Sequence, residues 1–294
     1  MKKFKGIFPA IITPFDDDNN INQKVLKKIV RMNIENGVSG FYVGGSTGEV
    51  FLLSLQERKE VLETVIEEIG DDNSISVIAH VGCISTDDSI ELAKHAEKAG
   101  ADAVSSLPPF YYNFSFAEIK NHFFTITENV NLPLIIYNFP DFSGIDFDMD
   151  NFTELFKNEQ IAGVKHTSYN LYQLERFKEI DEDLTIFAGR DEIFLGALTM
   201  GADGAIGSTY NFMADKFVEI EKLYNNGEME KAKKLQKRLN NIIDVVGEVG
   251  LIPAIKYILK LQGFDCGKCR KPFKTLNQDD KNKIEEVVER NIES

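Results

Sequence analysis

Eight short apolar runs recur along the chain, at residues 7–13, 40–43, 77–81, 103–107, 134–138, 162–165, 185–188 and 204–206. Each is continuous rather than alternating, the pattern of parallel strands buried on both faces. Between them lie segments with apolar residues at helical spacing: 23–37, 54–70, 87–100, 116–129, 149–157, 171–180 and 193–200. Their ends carry start and stop signals. Ser54 followed by Glu57 spells a capping box, and Gly100 closes its segment as a helix C-terminus prefers. Eight strands alternating with helices predict an α/β fold, a (β/α)8 TIM barrel. The alternation closes near Thr209. Four further helical segments follow, at 215–225, 229–246, 252–261 and 278–291. The expected organisation is a barrel over residues 1–225 and a C-terminal helical extension, 226–294, packed on it.

Charge narrows the partners. The chain of 294 residues carries a net charge of −14 and no polybasic run, so nucleic acid is excluded. Lys2, Lys3 and Lys5 precede an apolar run and mimic a secretion signal. That run is short, holds Pro9, and is followed by Pro14 and three aspartates, so it reads as the first buried strand. No apolar run is long enough to span a bilayer, and the expected location is the cytoplasm. Cys83, Cys266 and Cys269 are too few for a disulfide framework and imply a reducing compartment. Cys266 and Cys269 have C-x-x-C spacing, but zinc needs two more ligands and a redox pair usually opens a helix after a strand. The four histidines (His80, His95, His122 and His166) are scattered, with no metal-site spacing.

Catalytic groups of such barrels occupy the C-terminal ends of the strands. The fifth run ends at Tyr137 and the sixth at Lys165 and Thr167. A lysine and a tyrosine on neighbouring strands suit amine–carbonyl chemistry: the amine condenses with a ketone and the phenol moves protons. Lys165 follows four largely apolar residues, and desolvation would depress its pKa toward a nucleophilic amine. The plainer reading is a lysine that snorkels to solvent, and Tyr137 reads equally as a core aromatic. His166 should point away from Lys165, because successive strand residues face opposite sides.

The second strand ends in Gly44-Gly-Ser-Thr-Gly-Glu49. Its glycines permit close backbone approach, and Ser46 and Thr47 suit a carboxylate. It is no phosphate loop: the lysine is missing and Glu49 would repel phosphate. A tight turn with structural glycines remains the alternative. Asp191 and Glu192 fit either a helix N-terminal charge pair or a site for sugar hydroxyls.

Four motifs together carry a family resemblance: residues 44–49, Tyr137-Asn-Phe-Pro140, Gly163-Val-Lys-His-Thr-Ser168 and Gly189-Arg-Asp-Glu192. The chain resembles the N-acetylneuraminate lyase branch of the dihydrodipicolinate synthase superfamily over nearly its whole length. Leu171-Tyr-Gln-Leu174 and the Ser46–Thr47 pair also point to the lyase branch. The resemblance implies that Lys165 forms a Schiff base with the keto carbon of open-chain sialic acid, or with pyruvate in reverse. Tyr137 would move the proton that lets the carbon–carbon bond break, releasing N-acetylmannosamine and pyruvate. The protonated imine is the electron sink, so neither metal nor organic cofactor is implied. Ser46 and Thr47 would hold the pyruvyl carboxylate. Thr167, Gly189, Asp191, Glu192 and Ser208 would line the sugar pocket. Tyr111 matches a tyrosine often inserted into a neighbouring subunit's site, which implies a homotetramer.

Two positions depart from related patterns. Phe142 stands where the synthase branch places an arginine for a second carboxylate, which argues for a sugar product. Arg190 stands where the lyases commonly carry an aromatic, and bears on affinity for the polar tail of the sugar. Two alternatives stay open. One is another pyruvate-dependent aldolase or synthase of this fold, acting on 2-keto-3-deoxy acids or making dihydrodipicolinate. The other is a non-catalytic barrel that binds a sugar acid.

Overall fold

The computed structural model describes residues 3–292; Lys2 of the basic N-terminal stretch lies outside the described residues. Eight parallel strands form one sheet: β1 Gly6–Pro9, β2 Gly40–Val43, β3 Ser76–His80, β4 Ala103–Ser106, β5 Leu134–Asn138, β6 Ile161–His166, β7 Thr185–Ala188 and β8 Gly204–Gly207. From β2 to β8 each strand pairs with the next in sequence, and β8 pairs with β1. Backbone bonds from Ser39 N to Ile7 O (2.9 Å) and from Ile11 N to Tyr42 O (3.0 Å) join β1 to β2 and close the cylinder.

The first strand is shorter than its apolar run. It ends at Pro9, and Ala10 and Ile11 then donate to Gly207 O and Tyr42 O on opposite sides. The rest of the run stays buried as the joint of the barrel rather than as ladder.

Helices α1 Gln23–Glu35, α2 Leu55–Ile69, α3 Thr86–Ala99 and α4 Phe116–Glu128 wrap the first half. The capping box at Ser54 and Glu57 is present, and Gly100 closes α3 in the left-handed conformation. Then come α5 Pro140–Ser143, α6 Met149–Leu155, α7 Leu171–Ile180, α8 Phe194–Thr199 and α9 Tyr210–Asn225. The last begins five residues before the expected 215, across a kink at Met213 (φ −145°). Finally α10 Met229–Val249, α11 Leu251–Leu261 and α12 Gln278–Ile292 form the extension. No helix among the described residues is long and apolar enough to cross a membrane.

Strand parity splits the apolar residues into two cores. Phe8, Tyr42, Ile78, Ile135, Tyr137, Phe187 and Ile206 fill the cylinder; a far larger cluster fills the layer between strands and helices. Gly40 shows how tight the inner layer is, since a Cβ there would sit 2.3 Å from the Phe8 ring. The inner layer positions the site.

Candidate active site

Lys165 is the one charged residue that β6 sends into the cylinder. It lies in register between Tyr137 of β5 and Phe187 of β7. Its Nζ stands 3.9 Å from the centroid of the Tyr137 ring and 4.2 Å from that of Tyr42. The side chain is 4 % exposed. Burial pulls its pKa down to about 7, against the Asp191 carboxylate, which raises it. Ring faces also favour the ammonium, so desolvation has to outweigh two attractions. His166 points the other way, as expected, packing edge-on against Phe177 of α7 with ring centroids 5.3 Å apart.

Tyr137 is buried among rings. Tyr42 and His80 each meet it edge-on at 5.9 Å, and Phe139 stacks at 5.8 Å. Burial pushes its phenol up to about 12, while the hydroxyls of Ser46 and Thr167 pull it back. The phenol is therefore protonated at neutral pH and flanked by two hydroxyls. A group so placed can give its proton on one side as it takes one on the other.

The Gly44–Glu49 segment leaves β2 through Gly44 (φ 73°) and makes a 3-10 turn over Ser46–Gly48. A Cβ on Gly45 would stand 2.6 Å from the Tyr42 ring, which is why the chain passes so close to the lysine's ring wall. The Thr47 hydroxyl reaches across to Ser208 after β8 at 2.7 Å. These two hydroxyls and the turn present donors at the same end of the barrel as Lys165. Glu49 departs from its expected place facing an anion. It adopts φ 59°, which turns its carboxylate out of the site and into the extension. There it pairs with Lys256 Nζ at 2.6 Å and accepts from Arg270 N at 2.7 Å, with both ionic side chains buried.

The opposite wall comes from β6, β7 and β8. Thr167 is buried beside the Tyr137 phenol, and Gly189 makes room for its hydroxyl: a Cβ there would lie 1.9 Å from Oγ1. Asp191 Oδ2 accepts from the backbone N (2.9 Å) and hydroxyl (2.7 Å) of Thr209. Burial raises its pKa to about 6, opposed by those two bonds and by Lys165. Glu192 accepts from the Tyr169 phenol at 2.5 Å. Helix α10 braces the backbone that carries both carboxylates, with Gln236 donating to the Asp191 carbonyl (3.1 Å) and Asn240 to the Glu192 carbonyl (2.9 Å).

Within one chain Tyr111 is apart from this group. It is 83 % exposed, at φ 80°, with its ring against Tyr112. Phe142 is also exposed, packed on Phe139 with centroids 4.2 Å apart. Cys266 and Cys269 lie in the extension, and burial pushes both thiols up to about 12, far from a reactive thiolate. No group of three or more His, Cys, Asp or Glu among the described residues could hold a metal.

Sequence reasoning missed three groups. Tyr42 forms half of the amine's ring cage. His80 holds the site loop from behind, its Nδ1 2.9 Å from Gly44 O. Buried Arg58 ties down the end of β3 through His80 O (2.8 Å) and Gly82 O (3.2 Å). Inner-facing parity along β2 and β3 would have singled out Tyr42 and His80; Arg58, on a helix, gave no such signal.

A parallel barrel with a dry amine, a protonated phenol and clustered hydroxyls at its C-terminal mouth belongs to the barrel class that keeps its functional groups at the strand ends, and carries the groups that amine–carbonyl chemistry requires. The sequence model of the Dihydrodipicolinate synthetase family matches residues 3–291, and the chain belongs to that family. It is 44 % identical to the N-acetylneuraminate lyase of Fusobacterium nucleatum over 93 % of this chain and 94 % of that protein. The structure of CdNal from Clostridium difficile in complex with mannosamine superposes with a TM-score of 0.94 at 40 % identity, covering 99 % of this chain and all of that one. The Fusobacterium nucleatum lyase complexed with pyruvate gives 0.92 at 41 %, over 98 % and 97 %.

Proposed function

We propose that this chain is a Schiff-base aldolase that cleaves N-acetylneuraminate reversibly to N-acetylmannosamine and pyruvate. The observation that carries this reading is the Lys165 amine, dry and titrating near 7 between two tyrosine faces. Relatives that are N-acetylneuraminate lyases, with structures holding mannosamine or pyruvate, support the substrate.

The neutral amine attacks the keto carbon of the open-chain sugar acid. Loss of water gives an iminium. The hydroxyl on the carbon beyond the scissile bond then gives up its proton. That bond breaks, its electron pair passes into the enamine, and the sugar leaves as an aldehyde. Protonation of the enamine and hydrolysis of the imine release pyruvate and restore Lys165. Tyr137, with Ser46 and Thr167 beside it, carries the protons. Ser46, Thr47 and the turn amides hold the carboxylate. Thr167, Gly189, Asp191, Glu192 and Ser208 take the sugar. No organic cofactor or metal enters these steps.

The exposed Tyr111, at a φ that tyrosine rarely adopts, supports a homotetramer in which it completes a neighbour's site. The cytoplasm is the proposed location, with sialic acid breakdown as the role. Apolar Phe142 at the mouth favours a sugar over a second carboxylate. Pyruvate release from N-acetylneuraminate should exceed release from 2-keto-3-deoxygluconate. The reverse ranking would replace this reading with the keto-deoxy acid aldolase.

A further inference from the structure

Three successive loops at the barrel mouth meet in one polar contact. Asp141 belongs to α5 after β5, Tyr169 follows β6, and Arg190 and Glu192 follow β7. The Arg190 guanidinium pairs with the Asp141 carboxylate. Its Cζ stands 4.5 Å from the centroid of the Tyr169 ring and 5.5 Å from that of Phe139. Its Nη1 is 4.0 Å from Glu192 Oε1, the oxygen to which the Tyr169 phenol donates at 2.5 Å. The Arg190 side chain is only 21 % exposed although it sits at the rim.

We propose that Arg190 is a positioning residue for the sugar half of the pocket, fixing Glu192, Tyr169 and α5 relative to one another. This rests on the aldolase reading above. A guanidinium suits the task because its plane stacks on a ring while its edge pairs with carboxylates. Without it, Asp141 and Glu192 are like charges facing across the mouth, and the Tyr169–Glu192 bond loses the cation that stacks on that ring. None of the Arg190 contacts involves Thr47, Ser208 or Lys165; its charge reaches the pyruvate half only as a minor pull on the Tyr137 phenol, behind burial and the Ser46 and Thr167 hydroxyls.

The test is a split between the two substrates of the condensation reaction. Arg190→Ala should raise the KM for N-acetylmannosamine about tenfold, the scale of a loosened positioning group. The KM for pyruvate, and the yield of pyruvate trapped by borohydride, should stay within about twofold. Arg190→Lys keeps the charge but not the plane, so it should recover only part of the sugar affinity. An amino-sugar KM within about twofold of the unaltered protein would overturn the proposal, as would a parallel rise in both KM values. If the unaltered protein traps no pyruvate at all, the aldolase reading fails first and this proposal falls with it.

Discussion

Lys165 and Tyr137 lie in register on adjacent strands, and the lysine amine meets the face of the tyrosine ring at 3.9 Å. The ring does two jobs through one contact. Its face, with that of Tyr42, keeps water from the amine. Its hydroxyl, flanked by Ser46 and Thr167, is left free for the proton transfers of the proposed reaction.

The acid limb of imine formation should fall near pH 7. Burial holds the amine there, and only the neutral form attacks. Below that point the rate of pyruvate trapping should drop about tenfold per pH unit. Asp191→Asn removes a charge that raises the lysine pKa, so the limb should move to lower pH. A rate still climbing above pH 9 would mean an ordinary lysine.

The same depressed pKa predicts a stability cost. Between about 7 and 10.5 the unfolded chain binds a proton that the folded chain does not. Stability should therefore rise with pH across that window. Lys165→Met should stabilise the fold most at pH 7 and below, with the gain shrinking toward pH 10.5. Urea unfolding at several pH values measures it. A gain that does not vary with pH would count against a neutral buried amine.

Tyr137→Phe should separate the two halves of the reaction. The ring wall survives, so pyruvate should still be trapped on Lys165. Cleavage of N-acetylneuraminate should fall by about 10²–10⁴, the usual worth of a proton carrier. Loss of trapping together with cleavage would show that the phenol is needed for the imine itself.

Lys256→Met should destabilise the protein by about 3–5 kcal/mol, because it strands the Glu49 carboxylate in the interior. It should also raise the pyruvate KM, since Glu49 directly follows the Ser46–Gly48 turn. Adding Glu49→Gln should recover much of the stability. A loss below about 1 kcal/mol would make the pair no more than a surface bridge.

The barrel was legible because parallel strands covered on both faces leave unbroken apolar runs. The runs at 40–43, 134–138 and 185–188 coincide with β2, β5 and β7 at both ends. Lys165 and Tyr137 were legible because each interrupts such a run at its C-terminal end. Glu49 was not: it closes the same short motif as Thr47 and Gly48, and only its left-handed backbone turns it away, toward Lys256 on α11. Tyr42 was legible only through strand parity: its run reads as uniformly apolar until alternate residues are assigned to the cylinder. Helix α5 has four residues, too few to show a period, though Pro140 at its start was a usable sign. The role of the extension depends on contacts between distant segments: Gln236 and Asn240 brace one wall, Lys256 and Arg270 the other.

Borohydride reduction in the presence of pyruvate, followed by peptide mapping, tests the central claim most directly. Lys256 is the internal control, since it is equally buried but locked in an ion pair. The adduct should map to Lys165 alone and vanish in Lys165→Ala. An adduct that persists in that variant, or that maps to Lys256, would contradict the assignment of the nucleophile.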